Sequence, residues 1–158
     1  MNAAIASPSS RATFSPPLFD RMFGEFGFAN VSAEEFEPFA ARPGHALLFF
    51  SEDPVRYRET LDLAVILPEI VNAFADRFRV GILLPDVARA MATRFGVRRW
   101  PALVMLRDGG YIGVIEGLRN WDEYLAEVAH LLAAPPSRPP TIGIAVKAVG
   151  QVDQSGCA

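Results

Sequence analysis

A proline set directly before a strand pair governs the second half of this chain. In "GVRRWPALVMLRDGGYIGVIEG" (96–117), Gly96 reads as the end of a helix, and a short basic link leads to Trp100-Pro101. Two apolar stretches, 102–107 and 111–116, then flank Asp108-Gly109-Gly110, a strong hairpin signal. An X-Pro step restricts both its residues and cannot lie inside a central strand, so it marks where the chain must turn into the hairpin.

The residues before it alternate between helix and strand patterns. Ser32-Ala-Glu-Glu35 has capping-box spacing and predicts a helix to about Ala41. "HALLFF" (45–50) is a continuous apolar run between Gly44 and the acidic "SEDP", which predicts a strand buried on both faces. Over 60–78, Leu63, Leu67, Ile70, Phe74 and Phe78 recur at helical spacing, with Pro68 predicting a kink. "RVGILL" (79–84) predicts a second strand, and Asp86 is expected to cap a helix to about Phe95. After the hairpin, Asn120-Trp-Asp-Glu123 is a second capping box. It opens a last helix with Trp121, Tyr124, Leu125, Val128, Leu131 and Leu132 on one face. Strands joined through a helix must be parallel and a hairpin is antiparallel, so the expected class is α/β: a mixed central sheet with helices on both faces.

Three segments are expected along the 158 residues. Residues 1–17 are rich in Ser, Pro and Ala and are expected to be disordered, as is the Pro-rich tail 135–158; the domain spans 18–134. Within the tail, "TIGIAV" (141–146) is a candidate edge strand. A formal net charge of −3 gives no reason to expect nucleic acid, and the chain has no apolar run long enough for a membrane span. With no signal-peptide pattern at the N-terminus, a cytoplasmic protein is expected.

Chemistry is constrained by what is missing. Cys157 is the only cysteine, which excludes an intramolecular disulfide, a Cys-x-x-Cys pair and a cysteine-rich metal site. His45 and His130 have no ligand-spaced partners, and neither a phosphate-cradling glycine loop nor a nucleophile elbow is present. No cofactor is expected. From Asp20 to Asp62 nine acids face four arginines, a local net of about −5, which reads either as a solvated, helix-capping surface or as a face for a basic peptide. Trp100 and Tyr57 read either as packed aromatics or as walls of a peptide groove. Arg98-Arg99 reads as a solvated link.

The element order, with Pro101 directly before the hairpin, resembles the thioredoxin fold over about 45–133. The resemblance implies that Pro101 follows a cis bond and faces the ancestral active site. It also places the redox motif near "DPVRYRET" (53–60), with Tyr57 and Thr60 about where two cysteines would stand. Without them thiol–disulfide exchange has no attacking thiolate. Three longer stretches carry a closer likeness: "PLFDRMFGEFGFANVSAEEFEPFAARPGHALLFFSEDPVRYRET", "LPEIVNAF" and "RFGVRRWPALVMLRDGGYIGVIEGL". They resemble the hydrogenase expression proteins of the HyaE/HupG type, thioredoxin-like accessory proteins of nickel-iron hydrogenases that lack the Cys-x-x-Cys motif. That resemblance implies a non-catalytic chaperone that binds the small-subunit precursor at its twin-arginine signal peptide before export, with other hydrogenase accessory proteins as further partners. Two alternatives stand beside it: an interaction or scaffold module with another client, and a thioredoxin-fold enzyme using a non-cysteine residue. On the thioredoxin scaffold, Glu52, Asp53, Glu59 and Asp62 are expected around a groove walled by Tyr57, Trp100 and Pro101.

Overall fold

The computed structural model describes residues 17–75 and 77–140. Ten elements follow in order: α1 (Pro17–Gly24), β1 (Ala29–Asn30), α2 (Ala33–Ala41), β2 (His45–Phe50), α3 (Glu59–Ala73), β3 (Phe78–Leu83), α4 (Pro85–Ala92), β4 (Ala102–Arg107), β5 (Gly110–Glu116) and α5 (Trp121–Ala133). One five-stranded sheet runs β1-β3-β2-β4-β5. β2 pairs parallel with β3 (Leu47 opposite Val80) and antiparallel with β4 (Leu48 opposite Val104).

The unbroken apolar reading of β2 has its cause in the layers. Leu47 and Phe49 enter a core with Phe19 and Met22 of α1, Leu63, Leu67 and Ile70 of α3, and Tyr124 and Val128 of α5. Ala46, Leu48 and Phe50 enter the opposite core with Phe36 and Phe39 of α2, Ala88 and Ala92 of α4, and Phe95. Helices thus cover both faces of a mixed sheet, and a central strand carries no polar side. The Ser32 hydroxyl accepts from the Glu35 N–H, and the Asn120–Glu123 capping box forms with both its hydrogen bonds. At the hairpin, Asp108 and Gly109 both take positive φ (50° and 81°), the turn that Asp-Gly serves.

Several expectations are corrected. Phe78 belongs to β3, not to the helix, and α3 ends at Ala73. Asp86 does not cap α4. Leu84 is the N-cap and Pro85 takes the first helical position, where its missing N–H costs nothing. α1 and β1, in the stretch before the first expected helix, were not anticipated. Trp121 is 43% exposed, because it sits at the first position of α5 beside α3 and not over the sheet. In the Pro-rich tail the Ser137 N–H donates to the Tyr111 carbonyl at 2.7 Å, beyond the outer edge of β5. Residues 1–16, the candidate strand 141–146 and Cys157 lie outside the described residues.

Candidate functional site

The loop between β2 and α3 is tied down from within. Ser51 Oγ donates to the Leu83 carbonyl at 2.6 Å, fixing the exit of β2 against β3. Glu52 then turns inward and is 4% exposed. Its carboxylate takes two hydrogen bonds from the Arg89 guanidinium of α4, Nε to Oε2 at 2.8 Å and a terminal nitrogen to Oε1. It accepts a third from the Asp53 N–H at 2.7 Å. A carboxylate at that depth needs such partners, and a forked guanidinium supplies two in one geometry. The pairing also holds the Arg89 pKa above its usual value. Asp53 is spent locally: its Oδ1 accepts from the Val55 N–H at 2.9 Å, and its carbonyl accepts from the N–H groups of Arg56 and Tyr57. This Asx-type turn delivers Tyr57 to the rim just before α3 begins.

The facing wall comes from the link after α4. Gly96 takes φ +69°, which ends the helical segment. The Arg98 N–H donates to the Glu116 carboxylate, and the Trp100-Pro101 peptide is cis. The Pro101 carbonyl accepts from the Gly117 N–H at 2.8 Å, so the residues leaving β5 are clamped beside those entering β4. Between the walls opens a cleft of about 470 Å³ lined by Tyr57, Glu59, Arg98, Arg99, Trp100, Gly117 and Leu118.

Three of the seven expected site residues therefore meet in this cleft: Tyr57, Glu59 and Trp100. Pro101 is buried rather than lining it. Asp62 lies one turn further along α3, outside it and exposed. Glu52 is turned inward onto Arg89, and Asp53, half-buried, gives one carboxylate oxygen to the Val55 N–H; neither lines the cleft. Arg98 and Arg99, read as a solvated link, are both exposed and also line the cleft, so its charged lining is two arginines to one glutamate. Their place immediately before Trp100-Pro101 was the available signal; Gly117-Leu118 carried none. The acidic excess of the N-terminal half is also smaller in space than in sequence, because Arg89 pairs with Glu52 and Arg94 with Glu37.

Chemically the cleft offers aromatic and guanidinium surface, with no thiol. Among the described residues, no group of three or more His, Cys, Asp or Glu is placed to hold a metal ion. No helix among them is long and apolar enough to cross a membrane.

Comparison with known proteins places this geometry. The family model "Hydrogenase-1 expression protein HyaE" matches residues 18–124. The hydrogenase expression/formation protein HoxO of Cupriavidus necator is 41% identical over 147 residues, covering 92% of this chain and 91% of that protein. HupG of Rhodobacter capsulatus, of the same description, is 36% identical over 119 residues, covering 75% and 86%. Among solved structures, a mutant thioredoxin from Halobacterium salinarum superposes with a TM-score of 0.53 at 20% identity, over 69% of this chain and 93% of that one, a likeness of fold alone. A thioredoxin-like domain that has an aromatic cleft beside its cis-proline and no paired cysteines, matched over most of its length by these relatives, belongs to the HyaE family of hydrogenase expression proteins.

Proposed function

We propose that the protein is a non-catalytic chaperone of nickel-iron hydrogenase maturation, acting in the cytoplasm on the small-subunit precursor and gripping its twin-arginine signal peptide before export. The observation that carries this reading is the Tyr57–Trp100 cleft. Where the link to Trp100-Pro101 faces the β2–α3 loop, two aromatics and Leu118 line an open surface, and the chain has no cysteine pair for thiol chemistry. Family membership supports the hydrogenase as the system served. Tyr57 and Leu118 are 36% and 40% exposed, which suits contact with a partner better than internal packing.

The test is a titration of the hydrogenase small-subunit signal peptide against the wild-type protein, Trp100→Ala and Tyr57→Ala, with folding of each checked by circular dichroism. A hot-spot tryptophan is worth about 2 kcal/mol, so Trp100→Ala is expected to weaken binding about thirtyfold, and Tyr57→Ala by less. Wild-type affinity in both folded variants removes the cleft from the reading. Absence of binding by the wild-type protein removes the client.

A further inference from the structure

The described surface holds a second apolar feature that runs on from the cleft. Along α3, Glu59, Asp62, Val65, Ile66 and Glu69 follow at three- and four-residue spacing, so they share one face of the helix. Val65, in the middle of the helix, is 57% exposed. Across from it stands Trp121 at the start of α5, 43% exposed, three residues after Leu118 of the cleft. Val65, Ile66, Glu69 and Trp121 line an open groove of about 300 Å³. With a rise of 1.5 Å per residue, this face extends about 15 Å from Glu59 to Glu69.

Charge divides the two features. α3 carries Glu59, Asp62 and Glu69 and no Lys or Arg from Glu59 to Ala73. The cleft above it is lined by Arg98 and Arg99. On the groove an apolar side chain finds Val65 and Trp121 between two carboxylates, while Arg21 of α1, ion-paired with Glu25, lines a neighbouring hollow with Val65 and Glu69. Asp62 lies three residues before Val65, and Glu69 four residues after it.

We propose that this α3–α5 groove seats an apolar peptide segment flanked by basic residues, with its apolar side chains on Val65, Ile66 and Trp121 and its arginines against Asp62 and Glu69. The proposal deepens the preceding reading and rests on it: the signal peptide's apolar run and its arginines are held along α3, and only its continuation reaches the Trp100 cleft. Of the acids expected at the site, Asp62 takes this role, joined by Glu69.

The experiment uses the full chain and the signal peptide, with two peptide controls: one with its arginines replaced by glutamine, and one with its apolar run replaced by serine and glycine. The protein variants are Val65→Ser/Trp121→Ala and Asp62→Asn/Glu69→Gln, each a double change on the groove face. The apolar double is expected to weaken the parent peptide at least tenfold at any salt concentration, and to show no preference between the parent and the serine–glycine control. The acid double is expected to lose about fivefold at low salt and nothing at high salt, with no response to loss of the arginines. If the wild-type protein binds the parent peptide and both folded doubles bind it equally well, the groove is overturned while the client stands. If the wild-type protein binds no peptide, the client reading falls and the groove with it.

Discussion

Replacing either partner of the Glu52–Arg89 pair removes the same hydrogen bonds, yet the two substitutions should differ in cost. The Glu52 side chain is 6% exposed and that of Arg89 49%. Arg89→Met leaves a carboxylate below the surface with the Asp53 N–H as its remaining donor at 2.7 Å. Stranding one ion of a fully buried pair costs about 3–5 kcal/mol, and the surviving amide bond sets the expected loss at about 3 kcal/mol. Glu52→Gln keeps the side-chain volume and an acceptor for Asp53, and the half-exposed guanidinium rehydrates. Its loss is the charge assistance alone, about 1 kcal/mol. The double variant should cost about 1.5 kcal/mol, well under the sum of the singles, because no stranded charge remains. Urea denaturation of the four proteins, followed by circular dichroism at constant m, gives the cycle. Glu52→Gln costing as much as Arg89→Met, or strict additivity, would refute the claim that this pair is an inward anchor of the loop. Since the loop presents Tyr57, Arg89→Met should also weaken partner binding although Arg89 lies outside the cleft.

Three further outcomes are expected. A Cβ at Gly81 would stand 2.8 Å from Phe39 Cε1 and 2.9 Å from Val31 Cγ2; Gly81→Ala should cost about 1–2 kcal/mol net of the unfolded-state entropy it saves, read as a lowered urea midpoint, and an unchanged midpoint contradicts the packing. Burial, then Arg107 and Arg77, lower the His45 pKa from 6.5, with Asp108 opposing. The unfolded chain therefore takes up the proton first: His45's contribution is intact above about pH 6.5 and is lost as the pH falls toward the depressed folded value, so His45→Gln should flatten stability over that window. With Cys157 as its only thiol, the purified protein should show no sustained insulin reduction, and turnover abolished by Cys157→Ser would overturn the non-redox reading.

What the sequence made legible was periodicity. β2 matched "HALLFF" to the residue because a strand covered on both faces must be apolar throughout, and that demand is written locally. The Asp108-Gly109 turn and the Asn120 cap were equally local. β1 was not: two residues become a strand only because Ala29 and Asn30 lie against Gly81 and Ile82. α1 is eight residues long and takes its place from Phe19 and Met22 packing under α3, a partner about forty positions on. Charge was the least legible property. Glu52 looked like a surface acid in an acidic loop, and an arginine 37 positions away turned it into an internal anchor. Arg98-Arg99 read as a solvated link and both are exposed, but that they stand beside the cleft depends on the Arg98 backbone N–H meeting Glu116, 18 positions on. A carboxylate's availability depends on which cation the fold brings to it, and composition over a window of sequence contains no such information. Hence two acids that read alike in the sequence part in the fold: Glu52 is turned onto Arg89, while Asp62 stays exposed on α3, a helix with no Lys or Arg of its own.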